Sequence, residues 1–251
     1  MTDPDIHDAT HTTPALPERR DPVWGYEDLA LFAGAVLPAV LLATGLVLAT
    51  RSLAPRLILS TAARQLTFQS FVYLLLMGVL YFIVAGRYGE PFWAGLGWSF
   101  PLERPWLCLF AGPVLAVTVS VLSVILKAPT ESSAIEDMIT SRASLGWFIL
   151  FGVVFAPVFE ELLFRGFLFP LLARSMGSWL GILFTAIPFG LLHGAQNHWA
   201  WQPIVLIAMA GGAFGYARYR TGSTTAGFLM HAAYNATAFA GYTLSHWRVL
   251  T

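Results

Sequence analysis

Two adjacent carboxylates and an arginine, Glu160, Glu161 and Arg165, interrupt the apolar run VFEELLFRGFLF at residues 158–169. Farther along, FGLLH places His193 one turn after Phe189, and HAAYN sets His231 and Asn235 four apart on one helical face. These residue types suit amide hydrolysis, which needs a base for water, a proton source for the leaving amine and donors aimed at the tetrahedral oxyanion. A glutamate, a histidine and a His/Asn pair meet that list. No Ser or Cys accompanies these histidines as a nucleophile: Ser223 precedes His231 by eight residues and lies off its face, and Cys108 sits in a run without a motif. An attacking water is the expected nucleophile.

The surroundings make these groups costly. A charged side chain near the middle of a membrane helix costs about 2.5 to 3.5 kcal/mol on insertion scales, so an adjacent pair needs partners, water or protonation. Glu161 and Arg165 stand four apart with the acid N-terminal, the orientation in which such a pair meets. Glu160, offset by about 100° around the helix, is left without an in-helix cation. A purely structural reading would put both acids at a helix end, in headgroup water. His193, His231 and Asn235 lie on two further helices, and such groups converge only if the bundle turns their faces toward one polar cavity. His198, His246, His7 and His11 have loop-like or terminal surroundings and read as surface residues.

Positioning falls to membrane helices. Of 251 residues, 57% are hydrophobic and 11% charged, where a soluble domain carries about a quarter charged; mean hydropathy is +0.66. The net charge of 0 draws neither nucleic acid nor an acidic surface. The single cysteine rules out an intrachain disulfide. Charge-free runs cover 29–50, 65–86, 105–126, 143–159 and 175–217, the last split by GAQNHWAWQP at 194–203, and a final run covers 223–247. The expected fold is an all-α polytopic bundle of about seven to eight transmembrane helices over 29–251, preceded by a polar tail at 1–28. The segment 88–106, with three tryptophans, reads as a short interfacial element, and 127–142 as a short amphipathic helix or loop.

EExxxR at Glu160, Glu161 and Arg165, FxxxH at Phe189 and His193, and HxxxN at His231 and Asn235 resemble, in that order, the three motifs of the CAAX protease and bacteriocin-processing (CPBP) family of intramembrane proteases. YRTGS at 219–223 and GLGW at 95–98 resemble two of its flanking stretches. The likeness is carried by residues 144–245. It implies hydrolysis of a peptide bond in a membrane-associated substrate, lipidated on the CAAX branch, by a multi-pass protein expected in the cell membrane of a prokaryote. It also implies Glu160 as the base for water with His193 assisting, Glu161 and Arg165 as supports beside Phe189, and His231 with Asn235 on the oxyanion side.

A divalent metal such as zinc is the open alternative, since one carboxylate and two imidazoles form a catalytic zinc set and Glu160, His193 and His231 could supply it. They come from separate helices, without a local HExxH signature. Two other classes compete: a small transporter or proton relay using the same intramembrane groups, and a scaffold binding partner helices through AMAGGAFG at 208–215. No inverted repeat favours the transporter. The GxxxG pair Gly211 and Gly215 is expected to pack inside this bundle.

Overall fold

In hydrocarbon, a backbone satisfies its polar groups within an α-helix or a closed barrel. Among the described residues of the computed structural model, 21–53, 60–100, 102–129 and 133–247, every regular element is helical. Helix α1 (Tyr26–Leu53) pairs with α2 (Thr61–Tyr81), which continues as a π-helical turn, Phe82–Arg87. A short α3 (Phe92–Gly95) leads to α4 (Pro105–Ile125). Next comes one helical rod built from α5 (Arg142–Leu150), a π turn Phe151–Phe155, α6 (Ala156–Glu161), a second π turn Leu162–Leu168 and α7 (Phe169–Met176). Helices α8 (Ser178–Leu192), α9 (Trp201–Thr221) and α10 (Thr224–His246) complete the bundle, α8 packing on α9 and α10 on α4.

Among the described residues, four helical stretches are long and apolar enough to cross a membrane: Tyr26–Leu53, Thr61–Arg87, Pro105–Ile125 and Arg142–Met176. Their outward side chains are greasy, as on α4, where Phe110, Val117, Val121 and Val124 are exposed. Helix α8 is apolar but shorter. Helices α9 and α10 have spanning length and fall outside that set because they carry polar residues, among them Gln202, Arg218, His231 and Asn235. The fourth expected span, 143–159, is only the first half of the 35-residue rod. Both carboxylates therefore sit near the rod's middle, and the helix-end placement in headgroup water does not hold.

The packed chain begins before Leu29, where the sequence suggested that a tail would end. Trp24 is buried, stacks on Phe167 with centroids 5.3 Å apart, and donates its indole N–H to the Phe167 carbonyl at 3.0 Å. Asp28, fully buried in the first turn of α1, accepts from the Gly25 amide and from the Tyr88 hydroxyl at 2.6 Å, with Arg87 3.4 Å away. That hydrogen bond to Asp28 is the largest cause raising the Tyr88 phenol above its ordinary value.

The stretch 88–106 is more than an interfacial element. Leu96, just past α3, is fully buried, and its carbonyl accepts from the Thr224 hydroxyl at 2.6 Å. Gly97 adopts φ +70, and its carbonyl accepts from the Thr224 amide at 2.8 Å. A Cβ on Gly97 would lie 2.8 Å from the Arg218 guanidinium, and one on Gly166 would lie 2.9 Å from the Leu96 carbonyl. The GLGW loop is thus wedged between the second π turn of the rod and the start of α10. It ties together the helices that carry the carboxylates and His231. In the polar segment after α4, the described residues form a 3-10 turn, Glu136–Met138, before a capping box of Ser141 and Ser144 opens α5.

Candidate active site

The rod places its two glutamates in different surroundings. Glu161 is fully buried, as is Arg165, and the Arg165 Nη1 donates to Glu161 Oε1 at 2.7 Å, the i,i+4 contact expected from spacing. Arg165 also donates to the Gly211 carbonyl and lies over the rings of Phe189, Phe214 and Phe164, 4.7, 5.4 and 5.8 Å from their centroids. Such faces attract a desolvated cation. Phe189 is therefore part of the arginine's cage, and the GxxxG stretch supplies the close approach: a Cβ on Gly211 would lie 2.8 Å from the Phe189 ring, while Gly215 faces Ile182. The small-residue stretch is spent inside this bundle.

His231, from α10, reaches the same carboxylate. Its Nδ1 lies 2.9 Å from Glu161 Oε1 and its Nε2 lies 3.8 Å from Glu160 Oε2. A carboxylate can only accept, so Nδ1 carries the proton and Nε2 is the atom turned toward Glu160. The imidazole is fixed by a stack on Phe214 at 4.5 Å and by the edge of Phe189 at 5.7 Å. Glu161 thus anchors His231 as well as Arg165. Among the described residues, its second oxygen, Oε2, has no hydrogen-bond partner, and it rests against Gly227, where a Cβ would lie 2.5 Å away. Gly227→Ala is expected to push Glu161 off both partners, lowering the melting temperature in detergent and removing most activity; wild-type values for both would contradict this packing.

Glu160 keeps a smaller set of neighbours and slight exposure, 13% for its side chain. Its Oε1 accepts from the hydroxyl of Tyr73, on α2, at 2.8 Å. Asn235, one turn after His231, donates one amide hydrogen to the Gly152 carbonyl at 2.7 Å, within the first π turn of the rod. His193 ends α8, and its Nδ1 lies 2.8 Å from the Phe189 carbonyl, an acceptor only, so Nδ1 carries a proton. It joins the cluster through the Phe189 ring, 5.0 Å from its imidazole. His198 and His246 are exposed, and His7 and His11 lie outside the described residues.

A divalent metal would draw on Glu160, His193 and His231. Among the described residues, no three His, Cys, Asp or Glu side chains are grouped to hold an ion. The contacts of His231 Nδ1 with Glu161 and of Glu160 Oε1 with Tyr73 leave His231 Nε2 and Glu160 Oε2, 3.8 Å apart, as the atoms of these two residues that would face an ion. Glu160, His193 and His231 are not assembled as a three-ligand set.

The residues that sequence reasoning missed are Tyr73, Phe214, Gly227 and Trp24. Tyr73 carried the one usable signal, since Gln69 and Tyr73 stand four apart as polar groups within a charge-free run. π turns flank the carboxylates on both sides, a geometry that recurs at functional sites.

Residues 142–237 match the family described as type II CAAX prenyl endopeptidase Rce1-like. The likeness to that family is confined to this segment. The match contains Glu160, Glu161, Arg165, Phe189, His193, His231 and Asn235, and it leaves α1 to α4 outside. No curated protein and no solved structure matches the chain. The match to the Rce1-like family points to a protease, and together with the apolar helices it points to an integral membrane protein.

Proposed function

We propose that this protein is an intramembrane endopeptidase of a prokaryotic cell membrane, cutting a membrane-associated, prenylated CAAX-type substrate with water activated by Glu160. The observation that carries the reading is the division between the carboxylates. Glu161 is committed to Arg165 and His231, whereas Glu160 turns Oε2 toward an imidazole nitrogen 3.8 Å away. In the proposed reaction Glu160 takes one proton from water as the oxygen adds to the peptide carbonyl, giving a tetrahedral oxyanion. His193, through Nε2, assists in orienting that water. The proton then passes to the departing amine as the C–N bond breaks, leaving a carboxylate and a free amine.

His231 and Asn235 face the oxyanion in this scheme. Asn235 holds Gly152 with one amide hydrogen and has a second to give. His231, whose Nδ1 proton is engaged by Glu161, offers a donor from Nε2 only when doubly protonated. Asn235→Ala is expected to keep substrate binding and lower kcat by roughly 100-fold or more, the scale for one oxyanion donor. The experiment is cleavage of prenylated and unprenylated peptides by the purified protein in detergent, with and without chelator. Cleavage of the prenylated peptide, unchanged by chelator, is the expected result. Loss with chelator and recovery with added zinc would contradict the metal-free scheme, and solute or proton movement without cleavage would replace the protease with a transporter.

A further inference from the structure

We infer that Tyr73 is a positioning residue for the reaction, holding Glu160 in one rotamer by its Oε1 and leaving Oε2 to receive the proton from water. This rests on Glu160 being the base. Tyr73 lies on α2, outside the segment that matches the Rce1-like family, and it is the residue by which the α1–α2 hairpin touches the reacting carboxylate.

A glutamate on a helix turns freely about three side-chain bonds unless something holds its head. Here Oε1 accepts from the Tyr73 hydroxyl at 2.8 Å, and Oε2 is turned toward His231 Nε2, 3.8 Å away. A donor at one oxygen removes that oxygen from competition for the proton, so the base acts from a defined atom. The tyrosine is itself fixed. Its ring stacks on Phe159 with centroids 4.2 Å apart and an interplanar angle of 21°, and on Phe151 at 5.9 Å and 19°. Phe159 is the residue before Glu160, so the clamp and the base move as one unit of the rod.

A tyrosine that merely fills space would be replaced by phenylalanine without kinetic consequence, because the two stacks survive. A positioning hydroxyl predicts a different pattern. Tyr73→Phe should lower kcat by roughly 10- to 100-fold, the scale seen when a group that orients a catalytic ligand is removed. KM and the melting temperature should stay near wild type, since neither substrate binding nor the ring packing uses the hydroxyl.

The test is steady-state cleavage of a fluorogenic farnesylated CAAX-ending peptide by the full chain in detergent, with melting temperatures for each variant. Wild type, Tyr73→Phe, Glu160→Gln and Phe32→Leu are compared, the last as a packing control that removes a buried ring packed on Phe167 and keeps the hydroxyl. The expected result is an inert Glu160→Gln, a Tyr73→Phe protein reduced in kcat alone, and a Phe32→Leu protein with a lower melting temperature and kcat near wild type. An inert Glu160→Gln beside a Tyr73→Phe protein with wild-type kcat would overturn the role of Tyr73 and leave the base in place. Losses in Tyr73→Phe that track its melting temperature, as for a packing variant, would overturn it too. A wild type inert toward the peptide, or an active Glu160→Gln protein, would overturn the proposed function and this inference with it.

Discussion

Glu160→Gln is expected to cut turnover by about 10²- to 10⁴-fold, the range for loss of a general base, while leaving the protein folded and inserted. The substitution keeps the side chain's size and one carbonyl oxygen to accept from Tyr73, so the contact at 2.8 Å and the stack beneath it can persist. What it removes is the proton acceptor facing His231. Glu160 has no in-helix cation that its loss would strand, because Arg165 is bound to Glu161. The melting temperature in detergent should therefore stay close to wild type. A large drop would show that Glu160 supports the fold, and retained turnover would remove it from the chemistry.

Glu161→Ala should behave in the opposite way. Glu161 and Arg165 are both fully shielded, and removing one member of a buried pair costs about 3 to 5 kcal/mol because it strands the other charge. The Gly211 carbonyl and the three aromatic faces remain for Arg165, yet none carries a negative charge. His231 loses its Nδ1 acceptor in the same step. The variant should melt much earlier and lose activity through disorder of His231. Replacing both members with apolar residues, Glu161→Leu with Arg165→Met, should restore much of the melting temperature, since well-packed apolar substitutes for a buried pair are often neutral. Activity should not return, because His231 is still unanchored. Wild-type stability in Glu161→Ala would contradict the division of roles.

The parts of this arrangement that were readable in the sequence are those whose cost shows locally. Charge in an apolar helix announces itself, so Glu160, Glu161, Arg165, His231 and Asn235 were visible, and i,i+4 spacing gave the Glu161–Arg165 contact at once. Spacing along one helix could not show that His231 closes on Glu161 from another, because that contact depends on how α10 crosses the rod. Nor could it show the π turns at 151–155 and 162–168, which leave no mark on an apolar pattern. Hydropathy drew the start of the bundle at Leu29, since DPVWGYED reads as polar; the indole of Trp24 docks through one hydrogen bond and one stack, neither of which hydropathy registers. Tyr73 escaped for the same reason. A tyrosine in an apolar run is ordinary until its hydroxyl is found against a carboxylate.

The central claim is that Glu160 delivers water directly to a peptide carbonyl, and a single turnover in ¹⁸O-labelled water tests it most directly. Enzyme in excess over the farnesylated peptide is quenched after one round, and both product and enzyme peptides are weighed by mass spectrometry. The account predicts one ¹⁸O in the new carboxylate of the product and none in the peptide containing Glu160. An intact substrate, or a product without label beside a labelled Glu160, would contradict it, the second because the carboxylate would then have attacked as a nucleophile in place of water.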